Sequence, residues 1–399
     1  MKKILTIAEH LFVIVSLTFF TGGLAVILPS EGMITLTRYL ILFIGGLVII
    51  TQWKKSISIA NQNKCLSILT IIILFSFLWS IYPVETAKDM REVLQMTVFA
   101  LYFTMRFSLK EQLQIIAFTF SIGILFSIFF AIAVPSIGVH GEDHPGAWKG
   151  IYDYKNTFGS MMVLSTLAFF ALPIDKPIDH LYKWLGLGLS LTMMLMSTSK
   201  TSLVLSFLLI LILILYRNFR WQGKITVVYL DIAILIFGCI GTVVFTQWVS
   251  LLTGLGRDYT LTGRTLIWEV SVAMLRNSPL LGFGRGAFWA PGSGYAIEAG
   301  RAVTPFGYIP PHGHNGFIDL ALDVGYIGLS LFLVSFTIAY FRSLKMAYAA
   351  KKIEYMWPLA FLTFLAMNNV MESYLVRLAN IYWVLYVTVA ISLSQNIRK

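Results

Sequence analysis

Apolar runs long enough to cross a bilayer follow one another along most of this chain, separated by short polar joints, and that alternation narrows what it can fold into. In lipid every backbone N–H and C=O must be satisfied within the protein, so successive spanning runs fold as a bundle of helices. The runs fall at roughly 7 to 28, 35 to 52, 65 to 82, 91 to 106, 112 to 134, 156 to 173, 182 to 197, 201 to 216, 225 to 248, 316 to 341, 354 to 371 and 374 to 394. They predict an all-α, polytopic membrane protein with about twelve transmembrane helices and one large outward-facing loop between helices 9 and 10. The expected layout is helices 1–9 in residues 1–248, an extracytoplasmic loop in 249–315 and helices 10–12 in 316–399, all in one membrane domain.

Charged residues make up only 12% of the chain, against roughly a quarter in soluble domains. The net charge of +11 is therefore no argument for nucleic acid, because Lys and Arg gather in cytoplasmic joints for topological reasons. With the amino terminus inside, every inner joint carries at least two basic residues, which predicts that both termini are cytoplasmic. Cys65 and Cys239 both fall in expected spans, which argues against a disulfide framework or a thiolate metal site. The start, Met1-Lys2-Lys3 and an apolar run, resembles a signal peptide without a convincing cleavage site, and reads as a retained first helix.

Against the usual bias, cations also concentrate on the expected outer side. Arg257, Arg264, Arg276, Arg285 and Arg301 share the stretch from Leu251 to Gly325 with many glycines, prolines and aromatics. Guanidinium groups hold phosphate oxygens in pairs, and aromatic faces stack on sugar rings, so this composition suits an anionic, sugar-bearing ligand. Residues 264 to 278 read as an amphipathic helix with Leu266, Val270, Ala273 and Met274 on one face. Gly282-Phe283-Gly284-Arg285-Gly286 looks superficially like a nucleotide loop, but no strand precedes it and that reading is discarded.

Two further outer clusters carry lysine. Lys155 stands beside Asn156 and Thr157, candidate caps of the next helix, and is either a snorkelling interfacial residue or part of an anion site at a helix mouth. Lys200 sits among hydroxyls in Met196-Ser197-Thr198-Ser199-Lys200-Thr201-Ser202, a turn expected to surround an ammonium with donors able to hold a phosphate. His312-Gly313-His314 supplies too few ligands for a metal, and no metal or other cofactor is expected. Next to a cationic loop, a neutral imidazole is the local group suited to taking a proton from a hydroxyl. Asn315, Asp319, Asp323 and Glu372 lie near the same level as supporting groups, the aspartates either orienting the imidazole or balancing arginine charge.

Gly263-Arg264 through Trp268, then Pro279-Leu280-Leu281-Gly282-Phe283-Gly284, then His314-Asn315 and Gly325, resemble the O-antigen ligase and polymerase superfamily in its Wzy-C type domain. Trp148-Lys149-Gly150 with Lys155-Asn156 and Gly159, and Ser199-Lys200-Thr201-Ser202, look more like its ExoQ-like exopolysaccharide polymerase branch. The resemblance implies a GT-C-like, metal-independent, inverting glycosyltransferase of the bacterial cytoplasmic membrane, with its active site on the periplasmic or outer face. It implies an undecaprenyl-pyrophosphate-linked oligosaccharide donor and a glycan acceptor, membrane lipids as surroundings, and a chain-length regulator or flippase as a conceivable companion. It also implies His314 and Arg264 as catalytic residues and Lys200 as a basic residue that is usually arginine in the ligases. Lys200, Arg264, Arg285, Arg276 and Lys155 are the candidate pyrophosphate ligands. The leading expectation is a polysaccharide polymerase. A ligase transferring to lipid A core or to protein, and a transporter or flippase of lipid-linked sugars, are the alternatives.

Overall fold

The computed structural model describes residues 2–28, 30–141, 144–206, 209–210, 228–229, 231–233, 235–242, 263–304, 307–349, 352–377 and 380–396. Among these residues every regular element is helical, and the one strand-type pairing is an isolated bridge between Val139 and Trp148. The helices are α1 (Lys2–Phe20), α2 (Leu24–Ile27), α3 (Glu31–Thr51), α4 (Trp53–Gln62), α5 (Lys64–Phe75), α6 (Pro83–Arg106), α7 (Leu109–Ala133) and α8 (Pro135–Gly138). They continue with α9 (Lys155–Ala171), α10 (Pro177–Met196), α11 (Arg264–Leu275), α12 (Gly294–Arg301), α13 (Gly316–Ala349), α14 (Met356–Asn369) and α15 (Ile381–Asn396). The expected spans at 201 to 216 and 225 to 248 lie partly outside the described residues, and Arg257 lies wholly outside them.

Three described helices are long and apolar enough to cross a membrane: Glu31–Thr51, Leu109–Ala133 and Gly316–Tyr348. A fourth candidate is the pair Trp53–Gln62 and Lys64–Leu78, which meet at 104°. The expected polar joint near residues 54 to 64 is therefore helical; α4 mixes lysines with Ile57 and Ile59, a pattern that an apolar-run count passes over. Helix α6 begins well before the expected position 91, because Pro83 suits the first helical position and Glu85 suits the positive end of the helix dipole.

The core is built around α6, α9, α14 and α15. Every residue of α14 is buried, as expected of a helix enclosed on all sides by its neighbours. At fourteen residues it is about 21 Å long, shorter than a hydrocarbon core of about 30 Å. It thus ends inside the protein, and residues 370–377 follow it into the region where the charged groups gather.

Helix α13 is interrupted. Val324 and Gly325 leave helical geometry, with Gly325 at φ 68° and ψ −173°. The backbone groups freed by this break are taken up by the Pro279–Gly284 segment. Tyr326 N–H donates to Pro279 C=O at 2.8 Å, Phe283 N–H to Leu322 C=O at 2.8 Å, and Gly284 N–H to Asp323 C=O at 3.1 Å. A Cβ on Gly325 would stand 2.1 Å from Leu280 O, and one on Gly282 2.5 Å from Leu322 O. The segment and the break are one structure, mutually satisfied as buried backbone requires. Gly325→Ala is expected to destabilise the protein by about 1–3 kcal/mol from backbone geometry alone, read as a lower Tm in detergent; an unchanged Tm would contradict this packing.

Candidate functional site

Helix α11 starts where Gly263, at φ 86°, turns the chain so closely that a Cβ would meet Val303 Cγ1 at 2.4 Å. Its buried face is Ile267, Ser271 and Leu275, rotated from the face expected from Leu266, Val270, Ala273 and Met274. The loop's own small apolar cluster, containing Leu275, Phe283 and Phe288, sets this rotation. The first residue of α11, Arg264, is thereby aimed at the α14–α15 connection. Its Nη1 donates to Met371 C=O, and its Nη2 lies 3.4 Å from Glu372 Oε1.

Glu372 is the hub. Only 6% exposed, it places Oε1 toward Arg264 and, at 3.5 Å, toward Asn156 Nδ2 on the first turn of α9. Its Oε2 lies 3.6 Å from His314 Nδ1, an ion-pair distance beyond hydrogen-bond length. Burial acts to raise the Glu372 carboxyl, but His314 and the Arg264 charge outweigh it and hold the group below the usual carboxylate range.

The His312–His314 turn is clamped on both sides. Asp319 Oδ1 accepts from Gly313 N–H at 3.0 Å and from Trp289 Nε1 at 2.9 Å, while Trp268 Nε1 donates to Gly313 C=O at 2.6 Å. His314 itself adopts φ 52°, a left-handed conformation that costs a non-glycine residue of order 1–3 kcal/mol and persists only when its surroundings hold it. Asn315 caps α13 through Oδ1, which accepts from Phe317 and Ile318 N–H at 3.0 and 3.1 Å, and its Nδ2 donates to Val370 C=O at 3.2 Å. Gly316 N–H then donates to Glu372 C=O at 3.0 Å, so the histidine turn and the glutamate are tied by backbone as well as side chain.

His312 has a different role from its neighbour. Its Nδ1 accepts from His314 N–H at 3.2 Å, which leaves its proton on Nε2, and the two rings lie 4.1 Å apart. Burial first, then the charges of His314, Arg377 and Arg264, push His312 far below the ordinary imidazole range. A histidine kept neutral in the fold binds fewer protons than the unfolded chain once pH drops below its ordinary value of 6.5, so stability falls there as the pH is lowered. Acidification from pH 7.5 to 5.5 is expected to speed hydrogen exchange in residues 312–316, and His312→Asn to abolish that dependence; equal exchange at both pH values would contradict it.

The lysines approach from α9 and the turn after α10. A Cβ on Gly159 would stand 2.4 Å from Ser202 Oγ, so the first turns of α9 lie directly against the hydroxyl-rich turn. Burial and then the Lys200 charge lower Lys155. The hydroxyls do not surround Lys200 as expected. Ser197, Ser199 and Ser202 are buried and hydrogen-bonded within the turn, Ser199 N–H to Ser197 Oγ at 3.2 Å and Ser202 Oγ to Ser199 Oγ at 3.0 Å, while Lys200 is exposed.

Two other arginines part from this group. Arg285 is buried and its Nη1 lies 3.1 Å from Asp323 Oδ2 and 3.9 Å from Asp89 Oδ2, so its charge is balanced by carboxylates. Arg276 stands exposed just past the far end of α11, about 18 Å of helix from Arg264. The structure thus brings together Arg264, His314, Asn315 and Glu372, with Asp319 behind them; Lys155 is the chain neighbour of Asn156, which reaches Glu372, and Lys200 stands in the turn packed against α9. Asp89 and Glu85, in the first turns of α6, were missed by sequence reading. Their spacing of four residues, facing a cationic loop, was the available signal.

The fold and the site define a helical membrane protein with cations, an imidazole and a buried carboxylate gathered at the mouth of a candidate span. Residues 185–333 match the protein family described as O-Antigen ligase, a stretch containing Lys200, Arg264 and His314 and ending before Glu372. The chain is also 37% identical over 123 residues to the exopolysaccharide production protein ExoQ of Rhizobium meliloti (strain 1021), covering 29% of this chain and 27% of that protein. Both matches cover only part of the chain and support a likeness to the O-antigen ligase and polymerase superfamily, on its ExoQ-like side.

Proposed function

We propose that this protein is a polysaccharide polymerase that transfers a glycan from undecaprenyl pyrophosphate to a hydroxyl of a lipid-linked repeat unit, with inversion and without a metal. The observation that carries this reading is Glu372, a single buried carboxylate whose two oxygens face Arg264 and His314. Arg264, Lys200 and Lys155 hold the pyrophosphate and stabilise the charge that grows on it as the anomeric C–O bond breaks. The acceptor oxygen forms the new bond from the opposite side and gives its proton to the His314 nitrogen turned away from Glu372. Glu372 stabilises the resulting imidazolium, as a carboxylate does beside a catalytic histidine. Undecaprenyl pyrophosphate leaves with the bonding electron pair.

In this reading the site opens on the outer face of the bacterial cytoplasmic membrane, both termini are cytoplasmic, and the bundle completes about twelve spans in a GT-C-like arrangement. The family description supports a second reading, transfer of the same donor to lipid A core or to protein. Purified protein in nanodiscs, given lipid-linked repeat units alone, separates the two. A ladder of lengthening products is expected of the polymerase; transfer only after lipid A core is added would establish the ligase and overturn the first reading.

A further inference from the structure

Beside the Glu372 hub lies a cavity of about 310 Å³ whose walls come from α6, the 285–291 segment, the His312 turn, the start of α13 and the 373–377 segment. It adjoins the reactive groups: His312 lines it and packs against His314 with the rings tilted, and Ser373, the residue after Glu372, lines it too. None of Lys155, Lys200 and Arg264 contributes to its lining. Arg264 and Asn156 stand on the Oε1 side of Glu372, and His314 stands on the Oε2 side. A displacement with inversion needs its incoming hydroxyl on the side away from the leaving group, and this cavity is walled by residues other than the candidate pyrophosphate cations Lys155, Lys200 and Arg264.

Its chemistry is that of a saccharide seat. Carboxylates accept hydrogen bonds from sugar hydroxyls, a guanidinium donates to ring and hydroxyl oxygens, and an indole offers an apolar face to a pyranose. Much of the polar lining is already committed. Asp319 holds Gly313 and Trp289, and Asp323 holds Arg285 and the Gly286 amide. Three features stay open. Glu85 is engaged only at the rim, with Lys88 at 2.8 Å and both side chains well exposed, a pairing that water screens. Arg377 has no carboxylate partner among the described residues. Arg285 Nε, on a side chain that lines the cavity, is buried with no acceptor among the described residues. The volume is at the small end of ligand pockets, roughly 300–1,000 Å³, which fits the terminal sugars of a chain and not a whole repeat unit.

We infer that this cavity seats the non-reducing terminal sugars of the acceptor glycan, with Glu85 and Arg377 as specificity-determining residues and the Trp289 indole as the stacking surface. The assignment rests on the glycosyl-transfer reading above and adds which wall receives the acceptor. The test uses full-length protein in nanodiscs, its lipid-linked repeat unit as donor, and the same repeat unit freed of lipid as soluble acceptor. Glu85→Gln and Arg377→Ala are each expected to raise the acceptor KM about tenfold or more while the donor KM stays in place, with Arg377→Lys intermediate. An unchanged acceptor KM in both variants, at wild-type Tm, would overturn the assignment, as would a parallel rise in donor KM. Wild-type protein that forms no ladder and transfers nothing to either acceptor would overturn the glycosyl-transfer reading and this inference together, so the two failures are told apart.

Discussion

His314→Ala is expected to lower polymer formation by about 10²–10⁴-fold, the usual loss when a positioned general base is removed, while the protein continues to accumulate in the membrane. The expectation follows from how specifically the turn is built. Gly313 is gripped through both its N–H and its C=O, and His314 is held at a positive φ that it would not adopt unaided. His312, equally near, accepts a hydrogen bond at Nδ1 and is kept neutral by burial, so it is the poorer proton acceptor. His314→Asn is the matching control, since asparagine tolerates the left-handed backbone and carries no comparable base. Polymer of normal length and amount from either variant, measured in cells and normalised to protein level, would remove His314 from the mechanism.

Glu372→Ala is expected to act on both stability and activity. Removing one partner of a buried ion pair leaves the other charge uncompensated, at a cost of about 3–5 kcal/mol, and here Arg264 and His314 both lose their anion. Glu372→Gln keeps the volume and is expected to fold better, yet to lose polymer formation, because the imidazolium formed on His314 then has no counter-charge. The stability contribution depends on pH in a defined sense. A carboxyl held below its ordinary value of 4.5 contributes fully above that value and loses its contribution as pH falls through the lowered one. The wild type is therefore expected to lose Tm as pH is lowered through and below the mid-4 range, and Glu372→Gln to lose less. An alanine variant with wild-type Tm and polymer yield would contradict the hub.

Much of this arrangement is legible in the amino-acid sequence, because hydropathy and charge announce it. The apolar runs point to helices; the cation-rich stretch ending at His312-Gly313-His314 stands out as the long interruption in their succession. Helix α11 is visible in its spacing, although its buried face is not, since Phe283 and Phe288 decide the rotation from outside the helix. Glu372 is visible as a supporting carboxylate near the level of the histidine, but not as the group that joins His314 to Arg264. Its importance comes from separations of 58 and 108 residues along the chain, to His314 and Arg264, which no local pattern records. The same holds for Arg285, whose position beside glycines suggests a phosphate ligand although Asp323 and Asp89 balance it in the fold. The interruption of α13 is also hidden, because Gly325 looks like any helix glycine until the Pro279–Gly284 segment is placed against it.

The most direct test is an experimental structure of the protein with a lipid-linked repeat unit bound in nanodiscs. The account predicts the diphosphate within hydrogen-bond reach of Arg264 and Lys200, the anomeric carbon between it and His314, and Glu372 still joining the arginine to the imidazole. A diphosphate bound at the opposite end of the bundle, or one that leaves His314 far from the anomeric carbon, would contradict it.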